Sequence, residues 1–184
     1  AGNMDQANTA FGEAADTASR GYKALALMQQ AGIAVEQGKN DEAVRLFDEA
    51  AKAGRDPIIA DGASLKAAYL LLDKGSLEDM TKRLEPLTGE KRPYRALAQE
   101  ALATVQLLNN KTVEAREIFV QLQLGQDVPQ TVRQRAVVAV QLIDSGTHGA
   151  VRKIVDEAAK LPTQPQAVAQ AAAPAQAAPA APAP

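Results

Sequence analysis

Apolar and small residues recur along this chain in steps of three and four, which places them on one face of a helix. Gly, Asn and Pro interrupt the pattern at near-regular intervals. In "GKNDEAVRLFDEAAKAGRDP", residues 38–57, Ala43, Phe47 and Ala50 share such a face between a Gly and a Pro. The arrangement returns. Gly2, Ala7, Phe11 and Ala14 precede it, and Gly75, Met80, Leu84 and Leu87 follow. Then come Asn110, Ala115, Phe119 and Leu122, and finally Gly146, Val151, Val155 and Ala158. The leading residues are 36, 37, 35 and 36 positions apart, and Pro57, Pro93 and Pro129 keep a period of 36 on their own. All three Phe residues of the chain occupy the same slot, which chance placement would almost never produce.

Each unit reads as two helices. "GYKALALMQQAGIAVEQ", residues 21–37, spaces Leu27, Ala31, Ala34 and Val35 as a first helix, and Gly38 ends it. Asn40 or Asp41 is placed to cap the second helix, where the small Ala43 admits close approach and Phe47 fills the space beside it. Asp56 with Pro57 reads as an N-cap followed by Pro at the first helical position, and Pro93 and Pro129 are expected to open later units likewise. Ser76 with Asp79 resembles a capping box with a shortened acid. Pro86, inside "MTKRLEPLTGE", is expected to bend or shorten its helix.

Helix pairs at this period imply an all-α, right-handed solenoid of antiparallel helix pairs, about nine helices, similar to tetratricopeptide repeats. Repeats of the Sel1 type are the nearest alternative. Leu27 departs from the large first-helix residue usual in tetratricopeptide repeats. The repeat domain is expected over residues 1–161, its first unit starting at a second helix, so that Ala7, Phe11 and Ala14 would lack half their cover. That register leads us to expect a further helix upstream. Residues 162–184 are almost wholly Ala, Pro and Gln, too poor in large aliphatics to offset their ordering entropy, and are expected to form a disordered tail.

Charge and chemistry narrow the function. The net charge is −2 with 3% aromatic residues and no Trp, which argues against a phosphate-tracking or base-stacking surface and so against nucleic acid. Cysteine is absent, which excludes disulfides and thiolate chemistry. No apolar run approaches the about 20 residues that span a bilayer. The single His148 is expected in a surface turn, and no metal site, cofactor or catalytic motif is expected. The acidic pairs Asp48-Glu49 and Glu78-Asp79 are expected on solvent faces.

In such solenoids the first helices line a concave groove. Helical spacing assigns Leu25, Met28 and Gly32 to it, then Leu65, Tyr69 and Leu72, then Glu100, Thr104 and Leu107. Met28, Leu65, Tyr69, Leu72 and Leu107 are the expected protein-binding residues, an apolar strip suited to an apolar or amphipathic segment. The basic and Asn positions with which some relatives of this repeat type grip a peptide carboxylate are largely missing, and Lys66 alone makes no clamp.

"RPYRALAQEALA" and "AREIFVQL", in that order, resemble the periplasmic repeat domain of the ancillary Sec translocon subunit family in its alphaproteobacterial form. The resemblance covers residues 2–155 and is strongest over 93–136. It implies a bitopic protein with a short cytosolic head and one membrane helix upstream of this sequence. The solenoid would then lie on the periplasmic face of the inner membrane, associating with the secretory channel, periplasmic chaperones or client segments. No catalytic residue belongs to that family. The function expected is therefore a protein-binding scaffold or chaperone-like adaptor. The alternatives are a cytosolic adaptor or regulatory module, and an accessory subunit of another membrane complex.

Overall fold

The computed structural model describes residues 2–147 and residue 149, and eight α-helices joined by short connections run from Gly2 to Asp144. They are α1 (Gly2–Thr17), α2 (Arg20–Glu36), α3 (Asn40–Ala53), α4 (Pro57–Leu71), α5 (Leu77–Leu84), α6 (Arg95–Leu108), α7 (Thr112–Leu124) and α8 (Gln130–Asp144). No strand occurs among the described residues. Each helix packs on the next, and α2, α4, α6 and α8 also touch in order, as first helices of successive units do in an all-α repeat solenoid. The ninth helix expected around Val151, Val155 and Ala158, the residue His148 and the segment 162–184 lie outside the described residues.

The repeat turns show why the period is so legible. Gly38, Asn110 and Gly146 have φ of 73°, 60° and 68°, the left-handed region where Gly and Asn are least penalised. In the first of these turns the Lys39 N–H reaches back to the Ala34 carbonyl at 2.8 Å. Lys111 bonds Gln106 at 2.8 Å and Thr147 bonds Leu142 at 3.2 Å in the same way. Each turn thus satisfies carbonyls that the preceding helix leaves open. Gly75 differs: it is not among the positive-φ residues, and a Cβ there would lie 2.7 Å from Met80 Cγ and Sδ. Met80 stands where α1, α3 and α7 have Ala, so its longer chain needs the space beside Gly75.

Several helix starts depart from expectation. Lys39 rather than Asn40 or Asp41 is the N-cap of α3, without a side-chain cap, because the left-handed Gly38 lets the chain enter the helix one residue early. Asp41 and Glu42 stand instead in the first turn, favourable to its dipole. Asp56 caps α4 as expected, accepting from the Ile58 N–H at 2.9 Å, with Pro57 at the first position. Pro129 is itself the N-cap of α8, and Pro93 stands before the N-cap Tyr94, whose ring packs over Gly62. Ser76 caps α5 through the Asp79 N–H at 3.1 Å. The short Asp79 carboxylate takes the Ser76 hydroxyl at 2.7 Å, not the backbone N–H of a full capping box. At Pro86, α5 gives way to a 3-10 turn, Glu85–Leu87, leaving it 8 residues long beside the 14 of α3.

The core follows the repeat. One cluster joins Ala31, Ala43, Phe47 and Ala50 with Ala63 and Ala67 of α4. A second joins Leu65 and Ala68, from the other flank of α4, with Met80, Leu84, Leu87 and α6. A third joins Ala103 of α6 with Ala115, Phe119, Leu122 and α8. The Ala/Phe/Ala slots are buried in all three, whereas in α1 Ala7 and Phe11 are half-buried and Ala14 is exposed.

Candidate functional site

The α2–α4–α6–α8 row brings the expected groove residues onto neighbouring helices, but it does not present them alike. Tyr69 is 41% exposed and Leu25 43%, so both offer apolar surface. Met28, Leu72 and Leu107 are half-buried, packed against the first, second and third core clusters respectively. Leu65 is only 3% exposed and belongs to the second cluster, not to an open strip. The reason is geometric: α4 is flanked by core on two sides, and spacing alone does not tell a core flank from the open face beside it.

The strip is also less apolar than expected. Glu100 on α6 accepts a two-pronged pair of hydrogen bonds from Arg135 on α8, both 2.6 Å, while Thr104 donates to the Glu100 carbonyl at 2.8 Å. Tyr69 on α4 lies close enough to feel both charges. Burial and then the Glu100 carboxylate push its phenol up, and Arg135 opposes them. The pair therefore joins Tyr69 in a single amphipathic patch across α4, α6 and α8. Its fork geometry fixes Arg135 more firmly than a single contact would.

Inter-unit ion pairs are what the sequence reading missed. Asp48 was expected on a solvent face, yet it is half-buried and binds Arg83 of the next second helix through both oxygens, one contact at 3.0 Å. Arg95 pairs with Asp127, and Arg92 with Asp61, which is 1% exposed. The partners in these pairs, with Glu100 and Arg135, are 31–35 residues apart, close to one repeat. An acid and an Arg offset by nearly one period is the signal that would have found them. Glu78 is exposed as expected and pairs with Lys82 within α5 at 2.6 Å.

Among the described residues, no group of three or more acidic or His side chains is placed to hold a metal ion, and no helix is long and apolar enough to cross a membrane. No family model matches the chain, and neither a curated protein nor a solved structure matches it.

Proposed function

We propose that this chain is a protein-binding repeat scaffold that receives a partner segment along the α2–α4–α6–α8 row. The observation that carries the reading is Tyr69, an aromatic left 41% exposed beside the Glu100–Arg135 pair. An open aromatic with a fixed charge pair next to it offers an apolar anchor and polar register points, the combination that dominates protein interfaces. Leu25 extends the apolar surface along α2. The partner segment that suits this patch is amphipathic.

The resemblance carried by "RPYRALAQEALA" and "AREIFVQL" supplies the setting: the periplasmic face of the inner membrane, where the secretory channel, periplasmic chaperones or client segments are the partners. The test is capture of those partners by the wild-type chain and by Tyr69→Ala and Leu25→Ser variants, each first shown by circular dichroism to keep its helices. Loss of a partner by folded variants, with little dependence of wild-type binding on salt, is the expected result. Folded variants that retain every partner would remove this face from the function.

A further inference from the structure

Three glycines stand inside helices, away from the first and last turns: Gly12 in α1, Gly32 in α2 and Gly62 in α4. Ala would serve each helix better, because Gly loses more backbone freedom on folding. Two of them have a reason within the chain. A Cβ at Gly62 would stand 3.2 Å from Tyr94 Cε2, and one at Gly12 would stand 3.2 Å from Gln30 Nε2. Each of these glycines therefore takes a side chain from elsewhere in the chain against its bare backbone. Gly32 is different: a Cβ there would meet nothing within 4 Å among the described residues. It shares a helical face with Leu25, seven residues before it, and Glu36, four residues after it. Leu25 is 43% exposed, and Glu36 is exposed and forms no ion pair among the described residues.

We propose that Gly32 receives an aromatic side chain of the partner segment, and that a Lys or Arg of the same segment meets Glu36. The inference rests on the α2–α4–α6–α8 row as the partner's track and names the chemistry that fits it. Glycine leaves a flat strip of backbone on which a ring can lie, as the Tyr94 ring does over Gly62. Leu25 continues that strip as open apolar surface. Met28, half-buried four residues before Gly32, brings a thioether of the kind that favours aromatic neighbours. The Glu36 carboxylate selects the sign of the flanking charge. An exposed pair of that kind adds little affinity, so the ring supplies the binding and the charge fixes its direction.

The test uses the full chain, labelled with 15N and 13C, and three helical peptides in NMR titrations. The first, acetyl-AQALAAQFAAAKAQA-amide, carries Leu, Phe and Lys on one face, and the others replace its Phe by Leu or its Lys by Glu. The Phe peptide is expected to move the Gly32 Hα protons upfield, as a ring stacked on them must, and to saturate. The Leu counterpart should bind about tenfold more weakly and give no such ring-current shift. The Glu counterpart should bind about two- to fivefold more weakly. Gly32→Ala should raise the urea midpoint, since its Cβ meets no described neighbour and Ala favours the helix, yet weaken the Phe peptide about tenfold. A variant that gains stability while losing the peptide separates binding from folding. Wild-type affinity in Gly32→Ala, equal binding of the Leu peptide, or an unmoved Gly32 Hα would overturn the proposal, and equal binding of the Glu peptide would overturn the charge assignment. A ring-current shift that grows with protein concentration alone would also overturn it, by assigning the position to a second copy. Partner capture through Tyr69 is read in a separate variant, so the row can stand where the Gly32 inference fails.

Discussion

Asp61 is the residue whose surroundings most exceed what its letter conveys. Burial pushes its carboxyl above the ordinary value of 3.8 despite the Arg92 guanidinium beside it. The folded chain then holds that proton more tightly than the unfolded one. The stability linked to this group is complete below pH 3.8 and falls as pH rises through the higher folded value. Urea midpoints of wild type and Asp61→Asn, measured from pH 3 to 7, should therefore move apart in favour of the Asn variant as pH rises. A gap that moves the other way would mean that the Arg92 pair outweighs burial. Arg92→Ala, which strands the buried carboxylate, should cost about 3 kcal/mol. Gly75 gives a second residue-scale expectation. Gly75→Ala should cost about 1–3 kcal/mol, because its Cβ would enter the space of the buried Met80. In a Met80→Ala background, where that space is vacated, most of this extra loss should vanish, a coupling that a double-mutant cycle of urea melts measures directly.

Among the elements, the second helices carry the lock between units. Phe47 and Phe119 are 4% and 3% exposed, whereas Phe11 in the same slot is half-buried. Phe47→Ala and Phe119→Ala should each cost about 3–5 kcal/mol, and Phe11→Ala visibly less, in urea melts. Equal losses at Phe11 and Phe47 would show that the repeat slots do not differ in cover. The helix and turn pattern was legible because each slot demands a residue type: a left-handed turn at Gly38, Asn110 and Gly146, and a small-then-large pair facing the neighbouring helix. Pro86 announced the short α5 for the same reason, since Pro lacks the N–H that the next turn needs. The groove was only partly legible. Leu65 and Tyr69 are four residues apart and look equivalent on a helical face, yet one joins the second core cluster and the other stays open. The difference depends on where α5 and α6 pack against α4, which the spacing within α4 does not contain.

At the scale of the whole described solenoid, each unit rests on its sequence neighbours through core clusters and through ion pairs about one repeat apart. Such pairs were invisible to a reading that took charges helix by helix, because an exposed charge and a bridging one look the same within a single helix. The described contacts are between near neighbours, so disturbance should spread mainly to adjoining units. Phe119→Ala should accordingly raise amide hydrogen exchange in α7 and α8 well before α2 and α3, as mass spectrometry of peptide fragments can resolve. Whether a partner lies along the α2–α4–α6–α8 row can be read by site-specific photo-crosslinking in the cell. A photoreactive residue would replace Tyr69 or Leu25 on the row, and Val113 or Leu124 on the second helix α7, where both side chains are well exposed. A partner on the row should give strong, discrete protein adducts from Tyr69 and Leu25 and weak or none from Val113 and Leu124. Adducts confined to Val113 and Leu124 would contradict it and move the binding surface to the second helices.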